Sequence, residues 1–395
     1  MGLNKIVDKK DNDKALGPNT ENSSQNKVKL ETLLSEFFGI INDNATPDLL
    51  KEGVNGYYNY IYKKINNFDI KNINLSTDNM SLYDTIRNND DDKNQKFGIF
   101  LSALINKNVK AGEKVQITIP IPVNRLFYKL KDSEAHVNIA GEYLGDFAKN
   151  SKIYADEAGD GAGWGMEGCE LYVKKADEFL GRSAKNSKIY ADEAGDGAGS
   201  NMETCELNIK KAHNYLGYTA KNSTIYLEKA GFFVGLSMEN CELHVKTAGG
   251  SLGKDAKKSI IYAEQAKETA GAGMKDCELH VKKTTDGLGF TAKNSKIYAD
   301  EAGRGAGMGM EGCELHVKKT TDWLGVKAKN SKIYADEAGE GAGIFMQNSQ
   351  LFIYELKGNL ADNALKGNNT VYLGKESYEK FPEYHGKVKI WEKKT

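Results

Sequence analysis

Ala148-Lys149-Asn150-Ser151-Lys152-Ile153-Tyr154-Ala155-Asp156-Glu157-Ala158-Gly159 is the stretch from which the fold can be read. The same twelve residues return without a change from Ala184, Ala292 and Ala328, and diverged copies start at Ala220 and Ala256. All six starts are spaced by multiples of 36. Between them runs a second motif, Met166-Glu167-Gly168-Cys169-Glu170-Leu171-Tyr172-Val173-Lys174-Lys175, which recurs from Met202, Met238, Met274 and Met310.

The two motifs are alternate turns of one 18-residue period, because Cys169, Cys205, Cys241, Cys277 and Cys313 fall midway between Ser151, Ser187, Ser223, Ser259, Ser295 and Ser331. Two and four residues after each stand apolar side chains: Ile153 and Ala155, Leu171 and Val173, and so on to Leu351 and Ile353. Alternation with period two marks a strand with one buried face. A glycine column runs from Gly145 through Gly163 and Gly181 to Gly343, as expected of a corner where the backbone takes unusual dihedrals. Eighteen residues leave no room for a helix beside the strand. The pattern therefore predicts a parallel β-helix (β-solenoid), right-handed by the usual sense of parallel crossovers.

The array is expected to span 115–375, with Val115, Ile117 and Ile119 set 18 residues before Ser133, Ala135 and Val137. Thr370-Val371-Tyr372-Leu373 fits with a two-residue insertion, and 376–395 reads as a closing segment. About 14 turns at roughly 4.8 Å give a rod of about 65 Å. Residues 1–28 are polar and Asn-rich and read as disordered. Residues 29–114 read as a small helical cap or module. Leu30, Leu33, Leu34, Phe37, Phe38 and Ile41 recur at helical spacing, and a second helix starts with Thr46 as N-cap and Pro47 behind it. An open solenoid end exposes unpaired backbone and core, which a cap must cover.

Outward positions explain why the repeat is two turns long. One column reads Lys152, Glu170, Lys188, Glu206 and later Glu278, Lys296, Glu314, Lys332; a second reads Asp156, Lys174, Asp192, Lys210 and onward to Asp336. A one-turn repeat would stack like charges; alternate turns pair opposite ones, each exposed pair contributing about 0.2–1 kcal/mol. Size alternates too, as in Ala148, Met166, Ala184, Met202 and in Gly161, Phe179, Gly197, Tyr215.

Nothing in the pattern marks a catalytic, cofactor or metal site. His244, His280 and His316 share a column with Tyr154, Tyr190, Tyr226, Tyr262, Tyr298 and Tyr334, which puts them two turns or about 9–10 Å apart, too far to share one ion. The cysteines face inward at the same spacing, beyond disulfide reach, and read as small core residues. Carboxylates stand in regular columns beside lysines, whereas an acid–base site needs one distinct cluster.

The run Gly163-Trp164-Gly165-Met166-Glu167-Gly168-Cys169-Glu170-Leu171-Tyr172-Val173, with Ala176, Leu180 and Gly181 behind it, resembles the glycine-rich repeat domain written GXGXG. That domain forms the C-terminal β-helix of the glutamate synthase large subunit and one of the subunits of formylmethanofuran dehydrogenase. The resemblance covers roughly 115–375. It implies a scaffold with no catalytic residues of its own, and a place as accessory subunit in a redox or one-carbon enzyme complex. The chain departs from the family where paired glycines before the strand become Gly-Cys, Asn-Ser or Asn-Cys.

The bulk numbers agree with a structural role. Lys+Arg is 54 and Asp+Glu 55, without the basic excess of a nucleic-acid binder. No apolar run is long enough for a membrane span, and Met1-Gly2-Leu3-Asn4-Lys5 opens no signal peptide, so a cytoplasmic location is expected. The leading expectation is a non-enzymatic scaffold or protein-interaction β-helix, with a protein partner or self-association. The alternative is a carbohydrate-binding or carbohydrate-active β-helix. The repeat is most degraded over 223–272, where Phe232-Phe233-Val234 replaces Asp-Gly-Ala and Ile260 replaces a lysine of the charge column. Phe232, Leu236 and Ile260 are the candidate interface residues, since exposed apolar patches mark contact sites.

Overall fold

The computed structural model describes residues 30–42, 49–65, 72–74 and 91–392. The disordered reading of 1–28, the cap pair Thr46 and Pro47, and the last three residues lie outside this set. The described residues fall into two compact units: one reaches Gly195 and includes Cys205–Ile209, and the other holds Asp196–Thr204 and everything from Lys210 onward.

The first unit opens with helices α1 (Leu30–Ile41) and α2 (Leu49–Lys64), strand β1 (Asn72–Asn74) and helix α3 (Asp91–Asn108). Strands β2 (Lys114–Thr118), β3 (Glu134–Ala140), β4 (Lys152–Ala158), β5 (Glu170–Ala176) and β6 (Lys188–Ala194) follow, and β7 (Glu206–Ala212) begins here. From β1 to β6 each strand pairs in parallel with the next. The second unit carries β8 (Thr224–Phe232), β9 (Glu242–Gly250), β10 (Ile260–Ala266), β11 (Glu278–Thr284), β12 (Lys296–Ala302), β13 (Glu314–Thr320), β14 (Lys332–Ala338), β15 (Gln350–Leu356) and β16 (Thr370–Leu373). Helix α4 (Lys375–Lys380), a 3-10 turn (Pro382–Tyr384) and β17 (Lys389–Ile390) end it. These strands too are parallel in register. Each unit is thus a parallel β-solenoid with one strand per turn.

The register is 18 where the motifs are intact, with Ile153 beside Leu171 and Leu171 beside Ile189. It is 20 at both ends of the array. Gln350 stands beside Thr370, as the two-residue insertion predicts. At the start, however, Val115 pairs with Ala135 and Ile117 with Val137, not with residues 18 on. Offsets of 18 and 20 have the same parity, so inward–outward alternation fits both. The first turn also contains Pro120 and Pro122, which cannot donate to a ladder, and it is the longer for it.

The turn of 152–169 shows how the residues make the coil. Ile153, Ala155 and Ala158 are buried, and Asp156 and Glu157 both face out. The rest of the turn is a corner segment with four left-handed residues, Gly161, Gly163, Gly165 and Gly168. One turn later the same positions hold Phe179, Gly181, Ser183 and Asn186, all with φ between 48° and 66°. Left-handed backbone costs a non-glycine residue about 1–2 kcal/mol. Asn, Asp, Ser and Thr recur there because short polar side chains hydrogen-bond locally. Only the second of the four columns is glycine throughout the intact repeats. A Cβ on Gly181 would come within 2.2 Å of Ile189 Cδ1, so that position lacks room as well as a favourable φ.

The cysteines belong to a hydrogen-bonded ladder as well as to the core. Cys169 N donates to Ser187 Oγ at 3.1 Å, and Ser151 N to Cys169 Sγ at 3.5 Å. In the second unit Cys241 N donates to Ser259 Oγ, and Ser259 N to Cys277 Sγ. All five thiols are free and buried. Burial pushes up the thiols of Cys169, Cys241, Cys277 and Cys313.

Helix α3 closes the first turn. Phe97, Ile99, Phe100, Leu101, Ala103, Leu104 and Ile105 are buried, with the rings of Phe97 and Phe100 against Phe37 of α1. A Cβ on Gly98 would lie 1.8 Å from Asn124 O, so the helix and the first turn touch backbone to backbone there. Polar groups of α3 serve the coil: Asn94 Oδ1 accepts Asn124 N, Ser102 Oγ donates to Arg125 O, and Asn106 Nδ2 donates to Tyr128 O. No helix among the described residues is long and apolar enough to cross a membrane.

Candidate functional site

The chemistry-bearing side chains converge on the outward face of the strands. Its centre is a ladder of stacked rings. In the first unit His136, Tyr154, Tyr172 and Tyr190 stack with centroids 4.3–4.8 Å apart and planes within 19°. In the second, Tyr226, His244, Tyr262, His280, Tyr298, His316, Tyr334, Phe352 and Tyr372 form an unbroken stack at 4.3–5.2 Å. One strand spacing is about 4.8 Å, which is also a comfortable stacking distance, so the backbone register builds the ladder directly. Between two histidines there is always a tyrosine ring, and the three histidines of the second unit therefore stay apart as their spacing implies.

The histidines are not free imidazoles. Nε2 of His136, His244, His280 and His316 lies 2.6–2.7 Å from Oε1 of Glu134, Glu242, Glu278 and Glu314, two residues back on the same strand. Tyr172 Oη donates to Glu170 and Asn208 Nδ2 to Glu206 in the same way. Every strand that starts with Glu thus ties its central outward residue to that Glu, a link that spacing alone does not reveal. Burial lowers the His136 pKa, against the opposing pull of Glu134. Burial also raises Glu134, but hydrogen bonds from His136 and Lys114 outweigh it and hold the carboxyl below its ordinary range. Burial together with Glu206 and Glu170 pushes the Tyr190 phenol up to about 12.

Charge ladders flank the rings. Lys152 reaches Glu170 at 3.1 Å and Lys174 reaches Asp156 at 2.6 Å; Lys246, Lys282 and Lys318 reach Glu228, Glu264 and Asp300 at 2.7–3.4 Å. Two further ladders escape a reading by strict alternation. Because residues 156 and 157 both face out, a third column pairs Lys283 with Glu301 and Lys319 with Glu337. A fourth, on the corner before the strand, pairs Lys149 with Glu167 and Lys293 with Glu311.

At the C-terminal end the face is covered by the chain itself. Trp391 N donates to Leu373 O, and its ring meets those of Phe352 and Tyr334 at 5.7 and 6.3 Å, tilted by 64° and 53°. The ladder thus accepts an aromatic ring against its edges.

The three residues singled out for an interface do not share a patch. Ile260 opens β10 on the ladder face, where it stands between Glu242 and Glu278 and is 39 % exposed. Phe232 ends β8 and is 44 % exposed, at the other end of the strand and about 25 Å along the chain direction. Leu236 lies on the corner beyond Phe232 and is half-buried. No protein-family model, curated protein or solved structure matches the chain.

Proposed function

We propose that this chain is a non-enzymatic scaffold whose outward strand face holds protein partners. The observation that carries this reading is the pairing of the ring ladder. Each ring inside a stack spends both faces on its neighbours and offers only edges outward, while the Glu that opens a strand is tied to the histidine, tyrosine or asparagine two residues on. Sugars stack on open ring faces, so the ladder favours a protein partner over a glycan. The kinship with GXGXG repeat domains is part of the same proposal, supported by the phase of Gly163, Met166, Gly168 and Leu171 within the turn; it adds the accessory-subunit reading.

The test is a glycan array together with lyase and hydrolase assays on uronide polysaccharides. No binding and no turnover are expected. Cleavage or binding that disappears when one local carboxylate cluster is replaced would sink the proposal and restore the carbohydrate-active reading.

A further inference from the structure

The face of β11 to β14 is charged as a checkerboard. Glu278 and Lys282 flank His280, Lys296 and Asp300 flank Tyr298, Glu314 and Lys318 flank His316, and Lys332 and Asp336 flank Tyr334. Opposite signs therefore alternate both along each strand and from strand to strand. Within the chain this satisfies the acids first: Glu278 and Glu314 hold their histidines, and Asp300 holds Lys318. Among the described residues Lys296 and Lys332 make no ion pair.

A checkerboard is complementary to a copy of itself. A half-turn about a line parallel to the strands, midway between β12 and β13, brings β12 opposite β13 and β11 opposite β14 of a second molecule. Positions along the strand are kept. Lys296 then meets Glu314, Asp300 meets Lys318, Glu278 meets Lys332 and Lys282 meets Asp336, each twice by symmetry. Moving the axis onto β12 would set Lys296 against Lys296, so charge restricts the axis to lines midway between strands. The same axis brings β15 opposite β10. Trp391, lying across Tyr334 and Phe352, then comes to the rows around Ile260, the one place among β9 to β14 where an apolar residue replaces the lysine.

From this complementarity we infer that the second unit pairs with another copy of this chain through the ladder face, on a two-fold axis parallel to its strands. This rests on the protein-interaction reading above and names the partner. The eight strands that this axis overlaps, β9 to β16, outline about 630 Å² per molecule at five residues wide, near the lower end of the range for a specific interface, roughly 600–1,000 Å² per partner. The net charge of −1 leaves no long-range repulsion between copies.

The test is sedimentation of the full chain from about 5 to 200 µM. A dimer is expected at low salt, weakened at least about tenfold between roughly 0.05 and 0.5 M salt. The double variant Lys296→Gln, Lys332→Gln should weaken it by at least about as much with unchanged melting, since neither lysine makes an ion pair among the described residues. As a second arm, Lys296→Glu with Lys332→Glu makes this column acidic, and Glu278→Lys with Glu314→Lys makes it basic. Each should be monomeric alone, and the two mixed should form a heterodimer. A wild type that stays monomeric throughout overturns the inference, and so does a dimer indifferent to salt and to the lysine changes. A dimer lost instead in Phe232→Asp overturns it too, yet leaves the protein-interaction reading in place. A glycan hit in the earlier assay defeats that reading itself.

Discussion

The two solenoid ends are closed by different physics. At the N-terminal end α3 lays an apolar surface on the first turn, with Phe97, Phe100, Leu101 and Leu104 wholly buried. At the C-terminal end the closing segment contributes few large buried side chains and many hydrogen bonds. Asn369 Oδ1 accepts Ser349 N while its Nδ2 donates to Met346 O, Ser377 Oγ donates to Tyr354 O and accepts Leu356 N, and Tyr384 Oη accepts Leu360 N. An exposed last turn has two needs, cover for its core and partners for its backbone. The difference teaches that a helix can meet both at once, whereas a short peptide meets chiefly the second.

The contrast has a measurable size. Phe100→Ala removes a ring from the helix contact and is expected to lower the stability of the first unit by about 3–5 kcal/mol, measured by denaturant unfolding. A loss under about 1 kcal/mol would mean that α3 is not the cap. Asn369→Ala should cost less, about 1–3 kcal/mol, because it removes hydrogen bonds and leaves the Ser349 amide unpaired. Its signature is faster hydrogen exchange at Ser349, and unchanged exchange there would remove Asn369 from the closure.

A third prediction uses pH to isolate the N-terminal end. Asp146 is 1 % exposed and accepts from Arg125 Nη1 at 2.6 Å. Burial raises its carboxyl from 3.8 to about 7, against the pull of Arg125 and Lys129. A raised acid binds its proton more tightly in the folded chain. Its contribution to stability is therefore complete below about pH 4 and is lost as pH rises through about 7. Melting of Asp146→Asn should show a flatter slope across that window than wild type, and parallel slopes would contradict the shift. The smallest effect is expected away from both ends. Lys188→Glu sets three acids in line with Glu170 and Glu206 and should cost about 0.5–2 kcal/mol, partly restored by salt. An unchanged melting temperature at low ionic strength would break the stacked register.

What could be read in advance divides along the same line. The strands were legible because Ile153, Leu171 and Ile189 repeat with one period, and the charge columns because that period fixes which residues are neighbours. Helix α3 lies inside the helical module expected over 29–114, but no signal marks it as a helix of its own. Residues 97–105 are apolar on nearly every side, since neighbours surround them, and a helix buried all round has no amphipathic signal. The corner was read from glycine alone, although Phe179, Asn186 and Ser183 take the same left-handed backbone. The Glu–His links were hidden because a strand residue and its neighbour two places on look independent in a sequence. Phe232 and Ile260 belong to one degraded stretch, yet they hold different phases of the 18-residue turn, one at the end and one at the start of its strand, and phase decides which residues are neighbours.

The alternating ladders also constrain how such a gene can change. Recombination between identical copies inserts or removes whole repeats in frame. Loss of 296–331 would bring Glu278 against Lys332 and His280 against Tyr334, and every ladder would close again. Loss of 296–313 alone would preserve the coil and its glycines, but it would seat Glu278 on Glu314, His280 on His316 and Lys282 on Lys318. Copy number is therefore free to drift only in even steps of the turn, and length polymorphism among descendants of this gene is expected to be quantised accordingly.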